Sequence, residues 1–303
     1  MTFTRTDAGL SNQHLFHKVD YVVFVEGSEK ELSFQEVCQG YSGIASFDIL
    51  YWQAIFNKFV SKKKVKFKPV GSKSILRVIA KKVELGEINH VWVAMDQNTD
   101  RFRNEYIQSN GVFYTWGYSW ENDVLQLQVL IDLFFVLCPI ERAENEKDVS
   151  DVISQLYYDF IHKIRHFVHV DMLLLTKGKS LFPRRNYKRL IKCNPAHTIP
   201  PELKISELKR LLSECNKQFS NLKPFFFNDK YKPNTIRYCF GHLLCIYCYR
   251  ALMYALKKFA QMPYIALDYM TSMATRLFGD SLDSTLSEEI FEHHTKQFEF
   301  INS

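Results

Sequence analysis

The first part of the chain alternates short apolar runs with segments whose apolar residues recur at helical spacing. Apolar runs of this kind are typical of strands buried on both faces, and three are found: YVVFVEG (21–27), HVWVAMD (90–96) and GVFYTW (111–116). A fourth segment, KVKFKPVG (64–71), alternates like a half-buried edge strand. Helices are predicted over 47–60, over 73–86 with a glycine cap, and over 121–137.

Strands that alternate with helices favour a parallel sheet, so we predict an α/β fold of the Rossmann-like kind. The later part of the chain lacks this alternation. Its apolar spacing instead predicts helices over 152–175, 201–219, 235–262 and 264–279. The acid-rich segment 141–151 is interpreted as a hinge or a helix start. We therefore expect two domains: an α/β domain at 1–140, with an insertion at about 28–45, and a mostly helical domain at 141–303 that serves substrate contact, dimerisation or docking.

Composition narrows the class of protein. With 303 residues, 47% of them hydrophobic and 24% charged, the chain can bury a sizeable core. The net charge of +6 is compatible with an anionic partner. Seven cysteines scattered through apolar segments indicate reduced, buried thiols. No apolar leader or membrane-spanning segment stands out, so we expect a cytoplasmic protein without a membrane partner.

Two of the predicted strands end in carboxylates. Glu26 follows the first strand, and Asp96 and Asp100 follow a later one. Because the carboxyl ends of parallel strands meet at one edge of a sheet, these side chains are predicted to converge there. Mg²⁺ (or Mn²⁺) prefers such oxygen ligands, and ions so held assist phosphodiester cleavage. The alternative for each acid is a solvated loop residue or a helix N-cap.

Further candidates lie around this edge. Glu121 enters a helix in TWGYSWEN, where it is either a capping residue or a third acidic contribution. Lys73 in VGSKSIL opens a helix and is placed to neutralise a phosphate. Cys245 and Cys248 are interpreted as packing residues, and His293 and His294 as surface residues.

A basic run with interleaved aromatic residues, KGKSLFPRRNYKRLIK (177–192), has the composition that contact with a phosphate backbone requires. Its alternative is a solvated face. The candidate nucleic-acid-binding residues are Lys177, Lys179, Arg184, Arg185 and Lys188, together with Lys73.

The motifs YVVFVEG, VGSKSIL, VWVAMDQNTD and YTWGYSWEN, in that order, resemble a TOPRIM-like nuclease family found beside ABC-type ATPases in bacterial phage defence. IRYCFGHLL (236–244) is similar to the helical half of that family. The family pairs a glutamate after the first strand with Asp-x-Asp after a later one. Glu26 matches the glutamate and Asp96 the first aspartate, but Asn98 stands where the second aspartate is usual.

The resemblance implies a metal set drawn from Glu26, Asp96, Asn98 and Asp100, with Asn98 offering a carbonyl oxygen or Asp100 substituting for it. The family also carries an acidic residue a few positions after its Glu-Gly pair. In this chain two residues are candidates for that position, Glu29 and Asp48. Glu121 matches a downstream Glu-Asn pair. The resemblance also implies an endoribonuclease held inactive by an ABC-type ATPase, dimerising on release and cleaving host tRNA. Two alternatives remain open: a non-catalytic adaptor of the ATPase and a DNA nuclease of the OLD type.

Overall fold

A computed structural model describes residues 7–28, 30–44, 46–218, 234–282 and 288–302. Two compact units are distinguished. The sheet unit falls within Met1–Gln97, Asn104–Trp116 and Phe278–Ser303, and the helical unit comprises Asn98–Arg103 and Gly117–Leu277. These units differ from the predicted domains, which divide the chain between residues 140 and 141. The predicted domain boundary stays a prediction.

The strands are β1 Tyr21–Val25, β2 Val65–Pro69, β3 Val91–Met95, β4 Val112–Tyr114, β5 Ile191–Lys192 and β6 Glu202–Leu203. The helices are α1 Asp7–Ser11, α2 Gln13–His17, α3 Phe34–Cys38, α4 Phe47–Phe59, α5 Lys73–Glu84, α6 Asp100–Arg103, α7 Trp120–Val124, α8 Leu127–Leu137, α9 Arg142–Thr176, α10 Ile205–Gln218, α11 Thr235–Tyr238, α12 Gly241–Ala260, α13 Leu267–Ser281 and α14 Glu288–Asn302, with a 3-10 helix at Tyr187–Leu190.

The sheet unit is built on a parallel four-stranded sheet in the order β2-β1-β3-β4. Its strands coincide with the four predicted ones, and β2 lies at an edge as expected. Helices lie in the connections between successive strands, as the crossovers of a parallel sheet require. The predicted α/β class with a parallel sheet is therefore confirmed.

Both faces of the sheet are buried, which explains the continuous apolar runs. On one face Val22, Phe24 and Val93 belong to a core that includes Leu76 and Ile79 of α5. The residues between them point to the opposite face, because side chains alternate along a strand. There the ring of Phe113 lies 5.1 Å from Phe56 of α4 and 4.4 Å from Phe298 of α14, centroid to centroid.

The helical unit is organised around α9, which is 35 residues long, and α12, which is 20 residues long. Phe160 of α9 stacks on Tyr247 of α12 at 4.3 Å between ring centroids. Helix α9 begins within the acid-rich segment, so that segment is a helix start. This part is mostly helical, as predicted, but the helix predicted over 235–262 is divided into α11 and α12, and the helix predicted over 201–219 begins only at Ile205. Residues 202–203 instead form β6, which pairs with β5 in a short antiparallel ladder.

The helix predicted over 121–137 is divided into α7 and α8. Leu125 leaves the helical conformation with φ −85° and ψ 52°, and Gln126 is extended. The Gln126 side chain donates to the Asn122 carbonyl at 2.6 Å, which satisfies an acceptor at the end of α7. Continuous apolar spacing did not reveal this break, because every residue around it is apolar or amide-bearing.

His293 and His294 were interpreted from the sequence as surface residues, and this interpretation is wrong. His294 is fully buried and lies 3.1 Å from the Tyr51 hydroxyl, measured from Nε2. His293 is half-buried, with Nε2 2.9 Å from the Tyr114 carbonyl oxygen. Both histidines therefore attach α14 to the sheet unit and are not surface residues. No helix in the described ranges combines the length and the apolar character that crossing a membrane requires.

Lys68 on β2 is an unusual buried cation of the sheet unit. Only 3% of its surface is exposed, and its ammonium donates to the Gln13 Oε1 at 2.9 Å and to the Gly40 carbonyl at 2.6 Å. These acceptors are neutral. Burial, assisted by the charge of Lys66, lowers the pKa of Lys68 to about 8.

This pKa predicts that stability rises with pH. The unfolded chain, in which a lysine has a pKa near 10.4, binds more protons than the folded chain between about pH 8 and pH 10. The wild type should therefore gain about 2 kcal/mol of unfolding free energy over this range relative to Lys68→Met. Urea denaturation from pH 7 to pH 10 measures the difference, with the exposed Lys62→Met as control. Parallel pH profiles for the wild type and Lys68→Met would refute the assignment.

Candidate functional site

Glu26 and Asp96 end neighbouring strands of the sheet unit. The register of β1 and β3 aligns Val25 with Ala94, so Glu26 is level with Met95 and Asp96 follows one residue later. Adjacent strands lie about 4.8 Å apart, so both carboxylates belong to the same edge of the sheet. Both side chains are half-buried. The structure thus brings these two predicted residues to one edge.

Gly27 allows the carboxylate of Asp48 to approach the backbone directly after Glu26. A Cβ atom at Gly27 would lie 2.0 Å from Ser46 Oγ and 2.2 Å from Asp48 Oδ2, so no larger residue fits without displacing them. The Ser46 hydroxyl donates to Asp48 Oδ2 at 3.0 Å. Asp48, one of the two candidates for the acid after Glu-Gly, therefore packs on the residue that follows Glu26. The other candidate, Glu29, lies outside the described residues.

Lys73 brings a positive charge to the same edge. Its ammonium donates to the Asp96 carbonyl at 2.5 Å and lies 3.4 Å from the Gln97 carbonyl. The preceding loop is held in place by Gly71, whose N–H donates to the Glu26 carbonyl at 2.8 Å. Gly71 has a φ of +75°, and a Cβ there would meet the Lys30 carbonyl at 2.2 Å. The loops after β1 and β2 are thus joined, with Lys73 opening α5.

Gln97 fixes the loop after β3. Its N–H donates to Thr115 Oγ1 at 2.9 Å, and its side-chain Nε2 donates to the Trp116 carbonyl at 3.3 Å. The residue is only 1% exposed, and among the described residues its Oε1 accepts no hydrogen bond. A buried acceptor oxygen is costly unless a donor serves it.

Asn98, Asp100 and Glu121 belong to the helical unit. Asn98 adopts a left-handed backbone, with φ 49°, and its N–H donates to the Tyr118 carbonyl at 2.7 Å. Asp100 is 1% exposed at the first residue of α6. The predicted metal set is therefore divided between the two units: Glu26 and Asp96 in one, and Asn98 and Asp100 in the other.

Glu121 is paired with a histidine that the sequence interpretation did not single out. Its Oε1 lies 2.6 Å from Nδ1 of His242 at the start of α12, and its side chain is 3% exposed, against 59% for His242. The capping box of α7 is formed by Ser119 and Asn122. Close approach of α12 depends on Gly241, where a Cβ would lie 2.7 Å from Glu121 Oε2.

The environment of Glu121 favours the ionised form. Burial alone would raise the pKa of Glu121. The hydrogen bond and the charge of His242, together with the Ser119 hydroxyl, outweigh burial and lower the pKa below its ordinary value. A carboxylate buried with a hydrogen-bonded cationic partner is a feature typical of functional sites.

Three cations of the basic run have acidic partners: Arg184 pairs with the buried Asp171, while Arg189 lies 3.5 Å from Glu207 and Lys192 lies 3.7 Å from Glu202. Arg184 donates to Asp171 Oδ2 at 2.5 Å, and its guanidinium lies 4.2 Å from the ring centroid of Phe240. The other predicted nucleic-acid-binding residues of this run are exposed: Lys177, Lys179, Arg185 and Lys188. Contact of all of them with nucleic acid stays a prediction.

The residue types at this edge of the sheet are those that Mg²⁺ prefers. Within the described ranges, no group of three or more His, Cys, Asp or Glu side chains is arranged to hold a metal. Mg²⁺ does not require such a group, since one or two carboxylates with waters and substrate phosphates commonly suffice. Glu26 and Asp96 supply two carboxylates, and Gln97 supplies an acceptor oxygen beside them.

Comparison with known proteins leaves the family of this chain open. No protein-family model matches the chain, and no curated protein matches it.

Proposed function

We propose that the protein is a metal-dependent nuclease with a TOPRIM-like fold that cleaves RNA, with tRNA favoured over DNA. The observation that best supports this proposal is the position of Glu26 and Asp96 at the ends of two neighbouring parallel strands. Ligand sites of open parallel sheets lie beyond these strand ends. Lys73, bonded to the Asp96 carbonyl, adds a positive charge at the same edge.

The roles of the residues follow from their chemistry. Glu26 and Asp96 would hold Mg²⁺ or Mn²⁺, and such an ion supplies charge stabilisation to the attacking and leaving oxygens of a phosphodiester. Lys73 neutralises a neighbouring phosphate. By the resemblance alone, Asn98 and Asp100 are further candidate oxygen ligands and Glu121 is a candidate supporting acid. The exposed basic residues of 177–192 hold the nucleic-acid backbone through charge.

The biological setting is proposed from the resemblance alone. Within the TOPRIM-like defence family, the motifs resemble those of AriB, the nuclease subunit of PARIS systems. By that resemblance an ABC-type ATPase holds the nuclease inactive, and the released nuclease acts as a homodimer on host tRNA in the cytoplasm. Cleavage of tRNA would then stop translation in an infected cell.

An adaptor without catalytic activity is the second candidate. Two observations favour it: Asn98 replaces an expected aspartate, and the described residues contain no group of three ligands. Such an adaptor keeps the fold and docks on the ATPase but has no use for a metal. Titration with Mn²⁺ separates the two candidates, because only the nuclease should bind the ion in a manner that depends on Glu26.

A direct assay tests the proposal. The purified full chain is incubated with total tRNA and, separately, with supercoiled plasmid, in Mg²⁺, in Mn²⁺ and in EDTA. We expect tRNA fragments in either metal, an intact plasmid, and no cleavage in EDTA, because the chemistry depends on a bound divalent ion. Plasmid cleavage would support a DNA nuclease of the OLD type. Intact tRNA and plasmid under all conditions would support the adaptor.

A further inference from the structure

An exposed imidazole backed by a buried carboxylate lies at the start of α12. His242 is the second residue of this 20-residue helix, and Nδ1 of its ring lies 2.6 Å from Glu121 Oε1. The Glu121 side chain is 3% exposed, whereas that of His242 is 59% exposed. One side of the imidazole is thus fixed by the protein while most of the ring faces solvent.

This contact determines which ring nitrogen titrates. An ionised carboxylate only accepts hydrogen bonds, so Nδ1 carries a proton and donates it to Glu121. Nε2 is therefore the nitrogen that gains or loses a proton as the pH changes. A negative charge at this distance favours the imidazolium form, in which Nε2 also carries a hydrogen and is a donor.

Aromatic and basic groups surround the pair. The Tyr187 ring lies 5.7 Å from the His242 ring at 30°, and the Phe240 ring lies 5.4 Å from it. Lys188 follows Tyr187, is exposed, and acts electrostatically on Cys245, three residues beyond His242. The Arg184 guanidinium lies 4.2 Å from the Phe240 ring centroid. The charged group in contact with His242 is thus the buried acid Glu121, and Lys188 and the exposed Asp268 both act electrostatically on Cys245 one turn further along the helix.

We propose that His242, held by Glu121, joins Lys188 and Tyr187 in an RNA-binding site where the imidazolium donates its Nε2–H to a backbone phosphate. The proposal rests on the proposed function for the nature of the polymer. Several exposed cations along one segment suit a polyanion better than a single small anion. Glu121 acts here as a positioning residue for His242.

Binding is measured by fluorescence anisotropy with a fluorescein-labelled tRNA. The protein carries Glu26→Gln and the buffer contains EDTA, so that cleavage does not interfere. Ionic strength is held constant from pH 5.5 to pH 8.5, because RNA affinity depends steeply on salt. We expect affinity to fall about tenfold as the imidazolium deprotonates, the usual contribution of one hydrogen bond to a charged group.

Three variants separate this role from a structural one. His242→Gln should bind with the weak affinity of the high-pH form at every pH. His242→Lys carries a permanent cation and should restore tight binding at pH 8 while removing the pH dependence. Glu121→Gln should shift the pH midpoint downward, because the neutral amide no longer favours the imidazolium. His162→Gln, which replaces an exposed histidine of α9, is the matched control and should behave like the parent.

The outcomes are decisive in both directions. If His242→Gln keeps the pH dependence of the parent, or if His242→Lys binds weakly at pH 8, the assignment is overturned. These readouts do not depend on cleavage. If the protein shows the expected binding but leaves tRNA intact in Mg²⁺, the nuclease proposal fails and the His242 site stands. If the protein cleaves tRNA but His242→Gln does not change binding, the His242 site fails and the nuclease proposal stands.

Discussion

Glu26→Gln is expected to abolish metal-dependent cleavage while leaving the fold intact. Glutamine keeps the shape of the side chain and one carbonyl oxygen but removes the negative charge that a hard cation prefers. Loss of one group that stabilises charge in a transition state typically lowers the rate by 10²–10³-fold, and we expect a loss of at least about this size. The initial rate of tRNA fragmentation in Mg²⁺ measures it.

Two controls make the result specific. Glu31→Gln replaces an exposed glutamate of the same unit and should leave the rate unchanged. Thermal unfolding should give the same midpoint for Glu26→Gln as for the wild type, because Glu26 is only half-buried at the end of β1. Cleavage at the wild-type rate by Glu26→Gln in Mg²⁺ would contradict the metal site at this edge.

The sheet could be predicted from the sequence because its physical cause is local. A strand buried on both faces must be apolar along its whole length, and the runs containing Val22–Val25 and Val91–Met95 show this directly. The positions of Glu26 and Asp96 at the ends of these runs were equally visible. Their location at one edge of the sheet then follows from the parallel pairing of β1 with β3.

Contacts between distant residues could not be predicted in this way. Glu121 and His242 are 121 positions apart, and neither periodicity nor composition relates them. In α14 the sequence did indicate that His294 is buried. Ile290, His294 and Phe298 recur at a spacing of four, which places them on one face of the helix. All three are buried. A histidine on an apolar face is a core residue when a partner such as the Tyr51 hydroxyl serves it.

The basic run shows how charge in a sequence divides into two roles. Arg184 and Arg185 are neighbours with the same charge, yet Arg184 pairs with the buried Asp171 while Arg185 is exposed. The sequence alone does not separate them, because the acid that pairs with Arg184 lies 13 positions earlier in a different element. The buried Asp171 thus holds, through Arg184, the segment that carries the exposed Arg185.

Loss of Asp171 should destabilise the helical unit strongly. Its Oδ1 accepts from the Ser180 hydroxyl at 2.9 Å and from the N–H groups of Leu181 at 2.6 Å and Phe182 at 3.1 Å, while Oδ2 accepts from Arg184. Burial raises the pKa of Asp171, and Arg184 and these donors oppose that shift. The network holds residues 180–184 against α9.

Asp171→Ala should therefore lower the unfolding free energy by about 3–5 kcal/mol, because it leaves a half-buried guanidinium and buried N–H groups without an acceptor. Asp159→Asn breaks an exposed ion pair with Lys163 on the same helix and should cost less than about 0.5 kcal/mol. Urea denaturation at pH 7 measures both. If the cost comes from stranding the Arg184 charge, Arg184→Met should recover part of it in the Asp171→Ala background, whereas strictly additive losses would show that Asp171 and Arg184 act independently.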